Sequence, residues 1–380
     1  MSTVKVPDTL LFKKIYGCVA AGSCGNAMGE VMEGDTVAER NEKYGWVEKL
    51  LPVTQEPRDP SAWGHNPADV SLGYPMVQYH YPRPVGTTED GEERYRLFCT
   101  AIIEKGGRID IMDLAKIWVR DIKPENFGWL MGPQDQVIHY SLKAGVPPWE
   151  VGCFATWPGF YGTVKMIGAT GIVNACNPAM AAQDAFELGR IKDRRGVPAN
   201  YALEIAAAHS AAVAEALRPE ANVKSVIDIA RSYLSQSPLR DVDRALGWAE
   251  NCDNIEEYGR LFEREYYNRP ISKADEIFAA AMGILAMSEG NPRDAIILAV
   301  NSGRDTDCRA HTAGSLAGAL SGIDTVPADW VRAVDDAMKV NPYTTSNRTS
   351  VETSIGLYNA AMNTINHYKS VIAEVEQRCV

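Results

Sequence analysis

The chain has 380 residues, 46% of them hydrophobic and 23% charged, and a formal net charge of -11. These are the proportions of a folded globular chain, and the acidic balance argues against a nucleic-acid-binding surface while leaving room for a local site that holds a small anion. Eight cysteines without a CxxC pair and six widely separated histidines exclude an obvious zinc site or disulfide framework.

Residues 1–10 carry no basic segment followed by an apolar run, so they read as a short tail and not as a signal peptide. Residues 12–32 predict a helix of small side chains, with Gly17, Gly22, Gly25 and Gly29 set among Ala and Val. Glycine weakens a helix by roughly 1 kcal/mol relative to Ala, so four of them point to close approach of another backbone. Helical spacing of apolar residues recurs at 94–104 and 111–120. Residues 145–162 break the pattern: Gly145-Val146-Pro147-Pro148-Trp149 and Trp157-Pro158-Gly159-Phe160-Tyr161-Gly162 predict a long ordered loop of the kind that lines sites. Helices are expected again at 179–191, 201–217, 223–236, 253–267, 275–288 and 292–300, with Pro270 and Gly290-Asn291 as breaks. Residues 310–320 carry Gly314 and Gly318 on one flat face, and 329–338 and 352–379 complete the chain. Alternating Val, Ile and Thr runs are scarce, and no apolar stretch reaches about 18 residues. The expectation is one all-α domain over residues 11–380, in a reducing cytoplasmic setting and without a membrane span.

Three motifs carry acids. Asn301-Ser302-Gly303-Arg304-Asp305-Thr306-Asp307-Cys308 runs into the small-residue helix. Positions i and i+2 do not share a helix face, yet a turn or first helical turn lets Asp305 and Asp307 converge, and converging carboxylates beside a hydroxyl hold hard cations such as Mg²⁺ or Ca²⁺. Asp at a helix start is equally an ordinary cap. Gly86-Thr87-Thr88-Glu89-Asp90 again places a hydroxyl and two acids at a predicted helix start, where capping is the simpler account. Gly25-Asn26-Ala27-Met28-Gly29-Glu30-Val31-Met32-Glu33 ends the first helix in acids.

Together the three motifs resemble those of the ADP-ribosylglycohydrolase family. Residues 17–33 look like its G-x-x-x-G-x-x-x-G-D-A-x-G-x-x-x-E opening helix, Thr88-Glu89-Asp90 is similar to its T-D-D motif, and residues 299–307 with 313–319 resemble its closing A-V-N-x-G-G-D-T-D-T motif and small-residue helix. Gly171-Ile172-Val173-Asn174 with Asn177-Pro178 resembles a middle segment of many members. The resemblance implies a single-domain orthogonal helix bundle around a two-Mg²⁺ site. It implies a metal-dependent hydrolase that cleaves a glycosidic bond at the ribose of an ADP-ribosylated or NAD-derived compound. Carried over by position, the metal ligands are Thr88, Glu89, Asp90, Asp305, Asp307 and Cys308, and the base is Asp90 or Glu89, with Glu33 as the alternative. Asn26 and Arg304 fall at substrate-facing positions. Phe154, Trp157 and Tyr161 are candidates to stack on an adenine, although aromatics in such a loop also pin it to the core.

Several residues depart from the family pattern. Asn26 stands for an Asp, Glu89 for the first Asp of T-D-D, Gly91 for a hydroxyl residue, Arg304 for a Gly and Cys308 for a metal-binding Thr. Lys192-Asp193 falls where many members carry a His-containing motif. A thiol is a poor ligand for Mg²⁺, so one of the two ions is expected to be weakened or absent, and Arg304 is expected to bring a positive charge to the site or to bind a phosphate. Two other readings follow: a catalytically altered relative that binds an ADP-ribose-like nucleotide without turnover, and a specialised biosynthetic enzyme acting on a NAD-derived nucleotide. All three have a small nucleotide or an ADP-ribosylated molecule as partner, not nucleic acid or a membrane.

Overall fold

The structure, a computed structural model, describes residues 6–53, 83–123, 133–194 and 200–379. The first helix, α1 (Leu10–Gly29), begins at Thr9, whose hydroxyl accepts the Phe12 N–H at 3.1 Å, and tightens into a 3-10 turn at Glu30–Met32. A Thr36/Glu39 capping box starts α2 (Val37–Tyr44). Then follow α3 (Asp90–Lys105), α4 (Ile111–Asp121), α5 (Pro133–Lys143), α6 (Pro148–Val151), α7 (Gly162–Ile167), α8 (Ala169–Val173), α9 (Pro178–Gly189) and α10 (Ala202–Ala216). The second half comprises α11 (Val223–Ser232), α12 (Gln236–Asn251), α13 (Ile255–Glu265), α14 (Ala274–Met287), α15 (Pro292–Val300), α16 (Thr306–Ser321), α17 (Ala328–Val340) and α18 (Ser350–Cys379). The described residues contain no strand, only an isolated bridge between Phe160 and Lys273, and the all-α expectation holds. None of their helices is long and apolar enough to cross a membrane.

Differences from the sequence expectation have local causes. Residues 223–236 divide, with α11 ending at Ser232 and α12 starting at Gln236. Pro238 lacks an N–H and its ring would clash with the carbonyl four residues earlier, so it is accommodated in a first turn but not in the middle of a continuous helix. The aromatic loop contains α6 and a 3-10 turn at Gly152–Phe154. It is pinned by backbone bonds, Tyr161 N to Ser272 O at 2.8 Å and Ala274 N to Gly159 O at 2.9 Å.

The centre of the bundle is the antiparallel seam of α1 with α16. A Cβ on Gly17 would lie 2.3 Å from the carbonyl oxygen of Gly318, and one on Gly25 would lie 2.3 Å from that of Ala310. No side chain fits between backbones that close, which is why glycine is kept inside these helices despite its low propensity. At the far end of the seam a Cβ on Gly29 would lie 2.5 Å from the Asp307 N and Cα. The seam therefore delivers the closing motif directly onto the end of α1.

His209, on α10, is fully enclosed, and burial lowers its pKa to about 3. An unfolded histidine titrates near 6.5, so the unfolded chain gains the proton first as pH falls and the native state loses stability below that value. Between pH 7.5 and pH 5 the wild-type protein should lose about 2 kcal/mol more than a His209→Gln variant. Urea midpoints at the two pH values measure this; equal losses in both proteins would show that the residue does not titrate on unfolding.

Candidate active site

Two of the acidic motifs begin helices, and their first acids cap them. Glu89 accepts the Gly91 N–H at 2.7 Å and the Glu92 N–H at 3.2 Å at the start of α3, and Asp305 accepts the Cys308 N–H at 3.2 Å at the start of α16. Capping and convergence are both realised, because the two helix starts meet across the seam. The amide of Asn26 on α1 bridges them, donating to Glu89 Oε1 at 2.6 Å and to Asp307 Oδ2 at 3.4 Å, while its carbonyl accepts the Glu89 N–H at 3.1 Å.

Between the acids lies the ammonium of Lys165, from α7. Its Nζ is 2.6 Å from Glu89 Oε1, 2.8 Å from Asp307 Oδ2 and 3.7 Å from Cys308 Sγ, and its side chain has no solvent exposure. Burial works against the charge, but Asp307, Cys308 and Glu89 together outweigh it and hold the ammonium well above its ordinary pKa. Burial likewise opposes ionisation of Glu89, yet Lys165 and the N–H donors keep it well below the usual carboxylate range. A Cβ on Gly91 would approach Lys165 Nζ and Cδ to 2.9 Å. A larger residue at 91 would push the lysine out of this position.

A second network adjoins the first. Asp90 is ion-paired with Arg94, which forms two 3.0 Å bonds to the buried Asp135 of α5, and Lys192 Nζ reaches the same carboxylate at 3.0 Å. Asp90 itself remains 31% exposed at its side chain, enough to meet a ligand. Burial and the neighbouring Glu89 push its carboxyl up against the pull of Arg94. Asp193 anchors the aromatic loop by accepting from the Gly159 N–H at 3.1 Å and the Thr163 hydroxyl at 3.3 Å.

The residues expected to hold metal differ in their suitability. The Thr88 hydroxyl accepts from Arg96 at 2.9 Å, Asp90 is bound to Arg94, and Glu89 to Lys165, so each of the three is engaged by a cationic donor. Asp305, Asp307 and Cys308 form a group whose ligand atoms lie within 4.8 Å of one another. Two carboxylate oxygens there, Asp305 Oδ2 and Asp307 Oδ1, are buried without a hydrogen-bond partner among the described residues. That is the donor chemistry a hard cation requires. Burial and the two aspartates push the Cys308 thiol well above its ordinary pKa, so it offers no thiolate. The set fits one divalent cation on the two aspartates and does not fit two.

Other expected residues have different surroundings from those anticipated. Arg304 does not bring its charge to a ligand: its guanidinium makes bonds of 2.5 and 2.9 Å to Glu276, which Arg309 also contacts at 3.0 Å, and its backbone takes φ of 62° in the turn. A buried carboxylate facing it is a stronger partner than a solvated pocket. Tyr161 is fully buried and its hydroxyl is 2.5 Å from that of Thr312, so it braces α16 and shows no open ring face. Trp157 stacks on Phe160, and Phe154 is exposed at the end of its 3-10 turn. Glu33 follows the 3-10 turn after α1, partly buried. Lys165 was not singled out by sequence reasoning; a lone lysine in Val164-Lys165-Met166-Ile167 was the available signal, since a cation in an apolar run is buried only with partners.

The sequence model described as ADP-ribosylglycohydrolase matches residues 7–360 of this chain. Among solved structures, one titled "ADP-ribosylglycohydrolase-related protein complex" superposes with a TM-score of 0.63 over 93% of this chain and 99% of that one, at 18% sequence identity. At that identity the likeness speaks for the fold alone. No curated protein matches the chain.

Proposed function

Because the chain belongs to the ADP-ribosylglycohydrolase family, we propose that it hydrolyses the glycosidic bond at the ribose of an ADP-ribosylated or NAD-derived compound. The observation that carries this reading is the meeting of Glu89 and Asp90 with Asp305 and Asp307 around one buried polar centre, from opposite ends of the chain. Cleavage at ribose C1 passes through an oxocarbenium-like state, and carboxylates around the ring stabilise its positive charge. Glu89 is tied to Lys165 and acts as a fixed negative wall. Asp90, partly exposed and held in place by Arg94, is the group able to exchange a proton with the leaving atom or the attacking water. A divalent ion such as Mg²⁺ on Asp305 and Asp307 would orient the ribose diol when bound. Glu33 is the alternative proton carrier.

Asp90→Asn keeps the shape and removes the exchangeable proton. It should lower kcat by about 10²- to 10⁴-fold with little change in KM. Release of ADP-ribose from N- and O-linked conjugates, followed by mass spectrometry, measures it; an unchanged kcat would eliminate Asp90 and transfer the role to Glu33. The second reading, binding without turnover, is favoured by Lys165 filling part of the centre. Calorimetric binding of ADP-ribose with no product from any conjugate would select it.

A further inference from the structure

We infer that the Lys165 ammonium is a built-in replacement for one of the two divalent cations that the family's acidic motifs imply, leaving room for a single ion on Asp305 and Asp307. The argument is geometric. Lys165 Nζ lies between one acid of each motif, 2.6 Å from Glu89 and 2.8 Å from Asp307, and so fills the space between the two motifs. Cation and ammonium cannot share that point.

The departures from the family pattern converge on the same atom. Glu89 carries one more methylene than the usual aspartate and meets the ammonium. Gly91 leaves free the space in which the lysine ends, since a Cβ there would come within 2.9 Å of Nζ. Asn26, neutral where an acid is usual, donates to the same two carboxylates that hold the lysine and so adds no charge. Cys308, in place of a hydroxyl ligand, is 3.7 Å from Nζ. Together these substitutions enclose a lysine.

The ion pairs limit what remains. Asp90 and Asp135 are engaged by Arg94 and Lys192, and Glu89 and one oxygen of Asp307 by Lys165, which leaves Asp305 and the second oxygen of Asp307 as the carboxylate atoms open to a cation. The only described oxygens of this cluster that are both buried and unpartnered, Asp305 Oδ2 and Asp307 Oδ1, are where that ion would bind.

The test counts ions on the full chain without substrate, so it stands or falls separately from the hydrolytic reading. Chelator-treated protein is titrated with Mg²⁺ by calorimetry and dialysed against Mn²⁺, with bound metal measured directly. Wild type should bind one ion per chain, Lys165→Arg one, and Lys165→Met two. Asp305→Asn should reduce the wild-type count to none. Two ions in the wild type would overturn the inference, as would none. A folded Lys165→Met protein that still binds one ion would overturn the replacement role. Should Lys165→Met fail to fold, the wild-type and Lys165→Arg counts still decide between one ion and two.

Discussion

Asp307→Ala is expected to lower turnover by about 10²- to 10³-fold, the scale of removing a group that stabilises charge in a transition state, while costing the fold far less. The side chain is buried against Lys165 at 2.8 Å, the weaker donors Asn26 at 3.4 Å and Cys308 at 3.5 Å, and one like charge, Asp305. Burial and Asp307 push the Asp305 carboxyl well above the usual carboxylate range, so deleting Asp307 also relieves repulsion. Attraction lost and repulsion relieved offset each other in the folded state. Kinetics and urea unfolding on the same preparation measure both quantities. Full activity in the variant would remove the closing motif from the chemistry.

Glu276→Ala is expected to have the reverse signature, with stability lost before any effect on chemistry can be read. Glu276 has no solvent exposure and holds Arg304 at 2.5 Å and Arg309 at 3.0 Å, themselves almost wholly enclosed. Breaking a buried pair by deleting one partner costs about 3–5 kcal/mol because the other charge is stranded, and here two cations are stranded by one deletion. Against a total stability of about 5–15 kcal/mol, the variant should give little soluble protein. Glu276→Gln, which keeps two acceptor or donor atoms, should fall between. A Glu276→Ala protein whose urea midpoint matches wild type would show that these arginines find other partners.

The fold was legible in the sequence to the extent that it rests on periodicity and glycine. Of the four glycines that announced a backbone seam, Gly17, Gly25 and Gly29 meet main chain and Gly22 meets the His311 and Ser315 side chains, while Gly314 and Gly318 supply the other side. The helices at 37–44, 133–143 and 236–251 and the short ones at 162–167 and 169–173 were not anticipated: the first is short and polar, and the one at 236–251 begins around Pro238, which reads as a break. In the site, the acids at 89, 90, 305 and 307 were visible because carboxylates at helix starts are chemically conspicuous. Their cationic partners were not: Lys165 and Lys192 are distant in sequence from the acids they face, and Arg94, although one helical turn from Asp90, also binds Asp135 from a distant helix. Arg304 was misplaced for the same reason. Its partner, Glu276, belongs to α14, and nothing near either residue in sequence records the pairing.

The glycine seam has a consequence for how the protein comes into being. The opening helix is made well before its matching surface on α16: the Gly29 carbonyl and the Thr306 hydroxyl that meet at the seam are 277 residues apart. Until both are present the glycine-lined main chain of α1 has no mate, and loop closure over that separation must precede its burial. Fragments that stop short of the closing motif therefore lack both the pocket and the central joint.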